Sequence, residues 1–337
     1  MITTEKTPFF SIIIPVHRVE RFLEQCLTSI RDQSFEDFEC IIINDKSPGD
    51  DFDNKDGVDP NFGSIINSQI TNIEKVKQAQ FIFDKIVGND KRFIYSENEI
   101  NVRQSTSKNN GLNLAKGERV IFVDGDDFLE KDYLKKAFEK ISVSDESDIF
   151  YGGVNVFENG IYKEYFKSQR FVPTINNLKT LLTYPSLSPT PFNYFWKLQF
   201  LKKFDLTFEA NSSWGEDTAF LLQAILKHYE LFPESKSKNF VKIDNLYHYR
   251  HFSTQVTKNS DYDIKLFKRT TASVASRLSQ YQKLGFDFYL LAILFVLRFR
   301  CYRLKLMTPK PLNLIFDIMG KVLTIPALIL SGTKKVR

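Results

Sequence analysis

The sequence predicts an α/β fold, with a mixed, mainly parallel sheet over roughly the first 260 residues and a helical appendage after it. Three observations predict it. Apolar runs of strand length alternate with segments of helical spacing from Ser11 onward, the pattern of strand–helix–strand crossovers in a parallel sheet. Two of those runs end in acids, at Asn44-Asp45 and at Asp124-Gly125-Asp126-Asp127, and open α/β sheets bind ligands outside the carboxyl ends of their strands. The charge then changes sign. Residues 261–337 hold 14 Lys and Arg against 4 Asp and Glu, a net of +10 in a chain whose total is +5, so the first 260 carry −5. The expected division is a ligand-binding domain over 1–260 and a basic, amphipathic helical region over 261–337.

The elements follow in order. Ser11-Ile12-Ile13-Ile14-Pro15-Val16 is a buried-strand run. Phe22, Leu23, Cys26, Leu27 and Ile30 fall on one helical face, and Glu39 to Ile43 is a second buried strand. Residues 48–64, rich in Asp, Gly and Pro, read as a surface loop. A helix is expected over 65–87, a short strand at Phe93-Ile94-Tyr95, and a polar helix over 102–115 closed by Gly117. Arg119 to Val123 is the third buried strand, and Leu134, Phe138 and Ile141 mark the helix after it. Asp148 to Phe157 reads as a strand, Tyr184 to Pro191 as irregular, and 217–228 as a helix with Phe220, Leu221, Ala224 and Ile225 on one face. Three helices are expected at about 263–284, 287–306 and 312–330.

Composition removes several classes. With 337 residues, 42% hydrophobic and 26% charged, the chain is globular rather than disordered. Three widely spaced cysteines, Cys26, Cys40 and Cys301, argue against a disulfide scaffold or zinc ribbon and for a reducing compartment. The N-terminus lacks the basic flank and apolar stretch of a signal peptide, and no run of about 18 apolar residues predicts a spanning helix. No G-x-x-x-x-G-K-S/T loop, strand-linked G-x-G-x-x-G, G-x-S-x-G elbow or H-E-x-x-H pair occurs. An EF-hand starting at Asp124 fails, because Phe128, Leu129 and Lys135 stand where it needs a ligand, a glycine and a glutamate.

Three carboxylates within four residues repel one another unless a cation is near, and hard divalent cations bridge carboxylates to phosphates. Asp124, Asp126 and Asp127 therefore suit a metal–diphosphate site; an acidic turn entering a helix N-terminus is the plainer reading. Gly125 permits close backbone approach to a ligand. Asp45 suits a strand-end ligand or a turn, and Asp217 a functional acid or a helix first-turn residue. His248 and His251, three apart in a strand-like segment, face opposite ways, which weakens a shared metal site. Trp196 and Trp214 suit a core or a sugar platform, and Cys26 and Cys40 fit an apolar core.

Four ordered blocks carry a family resemblance. SIIIPVHRVERFLEQCLTSIRDQSFEDFECIIINDKS, KNNGLNLAKGERVIFVDGDDFL, FWKLQFLKKFDLTFEANSSWGEDTAFLLQAI and LYHYRHFSTQVT, spanning residues 11–257, resemble family 2 glycosyltransferases, which have the Rossmann-like GT-A fold. The resemblance implies a nucleotide-sugar pocket with Asp45 on the base or ribose, lined by Pro15, Val16 and His17. It implies Lys108 near the base or diphosphate, and Asp124, Gly125 and Asp126 on the donor. Asp126 and Asp127 would hold a divalent metal, Mn²⁺ or Mg²⁺, and His248, Arg250 or His251 would touch the metal or diphosphate, with His248 the candidate ligand. Asp217 would be the general base, with Glu216 and Trp214 on the acceptor side.

The implied activity is inverting transfer from a nucleotide sugar, UDP-linked, to a glycan or lipid-linked acceptor in surface or capsular polysaccharide synthesis. A non-catalytic nucleotide- or glycan-binding relative is the alternative, against which the full set Asp126, Asp127 and Asp217 stands. Some positions depart from the family pattern. Lys46 stands at a customary glycine, so its loop must avoid a left-handed backbone or carry strain. His17-Arg18 replaces the common Tyr-Asn, and Ser105-Thr106-Ser107 replaces smaller residues. Basic residues beside apolar helical stretches in 261–337 suit an anionic membrane surface, which implies a cytoplasmic protein, peripheral on the inner face of the plasma membrane. No nucleic-acid-binding motif is present.

Overall fold

A computed structural model describes residues 6–50, 58–59, 66, 69–70, 72–144, 149–158, 161–164, 193–210, 216–231 and 240–252. Strand β1 (Phe10–Val16) leads through helix α1 (Glu20–Arg31) to β2 (Phe38–Asn44). Helix α2 (Gln78–Val87), β3 (Phe93–Glu97), helix α3 (Arg103–Leu114) and β4 (Arg119–Phe122) follow. A two-residue strand β5 (Phe128–Leu129), helix α4 (Tyr133–Ile141), β6 (Ile149–Glu158) and β7 (Ile161–Glu164) come next. The described part closes with β8 (Tyr194–Lys197), helix α5 (Leu198–Lys203), helix α6 (Glu216–Leu231) and β9 (Phe240–Arg250).

The nine strands form one sheet in the order β3-β2-β1-β4-β8-β6-β9-β5, with β7 paired to β6. The first four are mutually parallel; β8 runs antiparallel to β4 and to β6, and β6 pairs with β9 in parallel. This is the mixed, mainly parallel sheet the pattern predicts. Every residue of β1, β2 and β4 is buried, which explains their unbroken Ile and Val runs: helices cover both faces of a parallel sheet. The apolar face of α1, from Phe22 to Ile30, is buried as well, and each such side chain contributes about 1.5–3 kcal/mol.

Two local readings change, and one open alternative is settled. The helix expected over 65–87 is interrupted at Asn72–Glu74, where the Asn72 and Ile73 N–H groups turn back to Gln69 and Ile70; a 3₁₀ turn at Lys75–Lys77 precedes α2. Gly117 does not end α3, since Ala115 caps it in an extended conformation. A Cβ at Gly117 would lie 2.6–2.8 Å from Ser11 and Phe10 atoms, so glycine is required there by contact with β1. Trp196 is a core residue, stacked on Tyr194 and edge-on to Phe220.

Cys26 and Cys40 are buried and unpaired, and burial pushes both thiols well above their usual range. Among the described residues no helix is long and apolar enough to cross a membrane. Most of the 48–64 loop, Tyr184–Pro191, Trp214, Cys301 and the whole expected region 261–337 lie outside the described residues.

Candidate active site

The carboxyl ends of β1, β2 and β4 lie side by side and place Val16-His17, Asp45 and Asp124 along one edge. Two regions face each other there. One surrounds Asp45, and the other surrounds Asp124–Asp127 with the start of α6.

Asp45 is buried, and its backbone N–H donates to Val16 O at 2.9 Å, continuing the β1–β2 pairing. Its Oδ1 accepts from Asn98 Nδ2 at 3.0 Å and from the Val102 N–H at 2.8 Å. His17 Nδ1 lies 3.1 Å from Asp45 O, and Asn101 Nδ2 lies 3.1 Å from the same nitrogen. Burial pushes the His17 imidazole below its usual value, against the pull of Asp45. Pro15 and Val16 form the floor at the end of β1.

Three basic residues in these loops adopt left-handed backbone: Arg18 (φ 56°), Lys46 (φ 50°) and Arg103 (φ 70°). For a side-chain-bearing residue that costs about 1–2 kcal/mol. The Lys46 turn is therefore kept left-handed and carries the strain. It is held by Asn44 Oδ1, which accepts the Ser47 N–H at 3.0 Å, and by Ser47 Oγ, which accepts the Arg18 N–H at 2.9 Å.

Across the edge, carboxylates crowd together. Asp124, Asp126 and Asp127 offer oxygens within 4.8 Å of one another, the one such group found among the described residues. Their surroundings differ. Asp127 is fully buried, and both its oxygens are engaged: Oδ2 accepts from the Tyr247 hydroxyl at 2.6 Å, and Oδ1 from the Arg250 N–H at 2.8 Å. Asp124 Oδ1 accepts from Gln104 Nε2 at 2.8 Å and pairs with Lys108 at 3.6 Å. Asp126 has no side-chain partner among the described residues.

Burial first, then the neighbouring Asp124, raises Asp126 to about 7. Burial and the same neighbours push Asp127 well up. Burial raises Asp124 too, with Lys108 opposing it. Such a set is relieved by a cation.

Gly125 sits close against the end of β1 and the residue before α1. A Cβ there would lie 2.9 Å from Val19 Cγ2 and 3.2 Å from Pro15 O. Arg250, wholly buried, donates from Nε to Asp126 O at 2.6 Å and from Nη2 to Gln25 Oε1 at 2.5 Å, with its guanidinium over the Phe22, Phe128 and Phe157 rings.

The structure separates the two histidines from the aspartates. His248 Nε2 meets Glu130 at 2.7 Å and its ring stacks on Phe128; His251 Nδ1 meets Glu158 at 2.8 Å. From β9 it is the Tyr247 hydroxyl and the Arg250 backbone N–H that reach Asp127. His248, a metal ligand in the sequence-based expectation, does not join the acidic group.

Helix α6 opens on Glu216 and Asp217. Asp217 Oδ1 accepts from Lys108 Nζ at 3.0 Å, and its side chain is 28% exposed. Glu216 is buried, and burial together with Asp217 raises it to about 7.

A family model described as glycosyl transferase family 2 matches residues 11–53 and 75–206, which include Asp45, Lys108 and the aspartate group. The chain belongs to that family. It is 30% identical over 156 residues to glycosyltransferase GlyA of Streptococcus pneumoniae, covering 46% of this chain and 18% of that protein. It is 27% identical over 222 residues to a poly(ribitol-phosphate) beta-glucosyltransferase of Bacillus spizizenii, covering 64% of this chain and 29% of that one. The glycosyltransferase EpsJ of Bacillus subtilis matches at 23% over 229 residues, 64% of this chain and 56% of that one. The chain thus spans from about a fifth to just over half of these relatives. The crystal structure of Staphylococcus aureus TarS 1-349 in complex with UDP-GlcNAc superposes with a TM-score of 0.57 at 16% identity, over 95% of this chain and 89% of that one, so the two share the GT-A fold.

Several residues of the site escaped the sequence reading. Tyr247 and Asn109 lie in segments that resemble the family, but their residue types alone signal no chemistry. Asn98, Asn101 and Gln104 sit in a polar stretch with no spacing signal, and only the packing of the β3–α3 segment against the ends of β2, β1 and β4 gives them partners.

Proposed function

We propose that the chain is an inverting glycosyltransferase that moves a sugar from a UDP-linked donor to a glycan or lipid-linked acceptor in cell-surface polysaccharide synthesis. The observation that carries this reading is the placement of Asp45 and the aspartate group at the ends of the two parallel strands that flank β1, with Asp217 linked to Asp124 through Lys108. TarS crystallised with UDP-GlcNAc and the poly(ribitol-phosphate) beta-glucosyltransferase support the donor and polymer classes.

In this reading Asp45, Pro15, Val16 and His17 hold the base and ribose. Asp126 and Asp124 hold a divalent cation, Mn²⁺ or Mg²⁺, which supplies Lewis-acid stabilisation of the diphosphate leaving group when bound. The donor set fits, because hard carboxylate oxygens of Asp124 and Asp126 lie within 4.8 Å of each other and Asp126 has no side-chain partner among the described residues. Asp127 sits behind them and fixes Tyr247 and the Arg250 backbone. Asp217 Oδ2, with no partner among the described residues, takes the proton from the attacking acceptor hydroxyl. Attack from the face opposite the diphosphate inverts the anomeric carbon.

The test is a panel of UDP-glucose, UDP-GlcNAc and UDP-galactose with Mn²⁺ or Mg²⁺, scored for slow release of UDP with water as acceptor. Release from one of them with either ion, and none with EDTA, supports the reading. No release from any, together with no UDP binding, contradicts it.

We also infer that residues 1–260 form the catalytic unit and that 261–337 holds the protein to the cytoplasmic face of the plasma membrane. Its net charge of +10 supports this, since each basic residue near an anionic surface is worth about 1 kcal/mol. Sedimentation with liposomes of rising phosphatidylserine content is the check. Binding that rises with anionic lipid and falls with salt is expected; indifference to lipid charge contradicts it.

A further inference from the structure

Lys108 stands where the family resemblance puts a cation near the donor diphosphate, but the geometry points elsewhere. Its side chain is 1% exposed. The ammonium donates to Asp217 Oδ1 at 3.0 Å, forms an ion pair with Asp124 Oδ1 at 3.6 Å, and lies over the face of Phe208 at 5.3 Å from the ring centroid, so its described neighbours are all inside the protein. Burial alone would lower this ammonium; Asp217 and Asp124 outweigh it and raise it above the usual lysine range.

The next residue on α3 acts on the same segment. Asn109 Nδ2 donates to Phe208 O at 2.9 Å, and Asn109 Oδ1 accepts the Phe208 N–H at 2.9 Å. This two-bond clamp fixes the backbone leading to α6 and holds the Phe208 ring under the lysine. Phe208 in turn stacks on Phe220 of α6 at 4.1 Å between centroids.

We propose that Lys108 and Asn109 are positioning residues for the acceptor half of the site: Asn109 fastens the 206–210 segment to α3, and Lys108 holds Asp217 Oδ1 so that Oδ2 faces the acceptor. This rests on the reading of Asp217 as the base. It assigns Lys108 to the acceptor side and not to the diphosphate.

The experiment uses full-length protein and four variants: Lys108→Gln, Asn109→Ala, Asp217→Asn and Lys108→Gln with Asp217→Asn. UDP and UMP affinities are measured by calorimetry with Mn²⁺ present. Turnover is the release of UDP from whichever of UDP-glucose, UDP-GlcNAc or UDP-galactose wild type hydrolyses fastest. Lys108→Gln and Asn109→Ala should each lower turnover at least tenfold while UDP and UMP affinities stay within twofold. The double variant should be no slower than Asp217→Asn within twofold, because residues acting as one unit are not additive.

A tenfold loss of UDP affinity with UMP affinity unchanged in Lys108→Gln would make it a diphosphate ligand and overturn the proposal; so would multiplicative losses in the double variant. Asn109→Ala buries no unpaired charge, so it carries the test if Lys108→Gln does not fold. Wild-type turnover in Asp217→Asn would sink the base reading instead. Lost turnover in Asp217→Asn with full turnover in both α3 variants would sink this inference alone.

Discussion

The two halves of the site are built on opposite electrostatic plans. Around Asp45, one carboxylate is surrounded by neutral donors: the Asn98 amide, the Val102 N–H, and a His17–Asn101 pair beside its carbonyl. Around Asp124, five carboxylates (Asp124, Asp126, Asp127, Glu216 and Asp217) share two buried cations, Lys108 and Arg250. The first half is complete as it stands. The second is under-neutralised: burial first, and then neighbouring carboxylates, push Asp124, Asp126, Asp127 and Glu216 upward. On the proposed reading the difference teaches which half would need a cofactor: hydrogen bonds would suffice to hold a neutral base and ribose, whereas a diphosphate brought to five acids would need added positive charge.

Each prediction probes this contrast, beginning with the largest effect. Asp217→Asn should lower UDP-sugar turnover by about 10²–10⁴, the usual contribution of a positioned base, with UDP affinity unchanged; a parallel loss of UDP affinity would move Asp217 to the donor side. Asp45→Asn should weaken UDP about 10–100-fold, as expected for hydrogen bonds to a charged group worth about 1.5–3 kcal/mol. The loss should be equal with Mn²⁺ and with EDTA. A loss seen only with metal would tie Asp45 to the acidic half.

Glu20 supplies a control. It is a single buried acid at the start of α1, raised to about 7 by burial, with Ser47 opposing. A carboxyl raised in the folded state binds more protons there than in the unfolded chain, so stability falls as pH rises from about 4.5 to 7. Glu20→Gln should thus raise the melting temperature at pH 8, by the equivalent of at most ~3 kcal/mol, and change little at pH 4.5. Mn²⁺ should not alter the difference. The smallest effect is expected from Gly125→Ala. Its Cβ meets two valine methyls and one carbonyl, a cost of about 1 kcal/mol at the low end of overpacking, read as a small drop in melting temperature.

The fold was legible where one physical rule dominates. The unbroken Ile runs of β1 and β2 and the acids at strand ends come from two-sided burial and sheet topology, so local pattern suffices. The interruption at Asn72–Glu74 was not legible, because apolar spacing continues through it while the backbone turns. Within the site, residue types were legible but partners were not. Asp127 reads as a ligand beside Asp126, yet β9, over a hundred residues later, supplies the hydroxyl and N–H that occupy both its oxygens. His248 reads as a ligand until its pairing with Glu130 is seen. Lys46 illustrates the limit of residue-type reasoning. The left-handed turn is kept without glycine because Asn44 and Ser47 hold it from both sides.

The central claim is that the acidic half is completed by a divalent cation through Asp126 when the donor binds. The direct measurement is UDP affinity by calorimetry, in Mn²⁺ and in EDTA, for wild type and for Asp126→Asn. The account predicts at least tenfold tighter binding with Mn²⁺ in wild type, and loss of that gain in the variant, whose affinity in EDTA matches wild type. Equal affinities with and without Mn²⁺ in wild type, or an undiminished gain in Asp126→Asn, would contradict it.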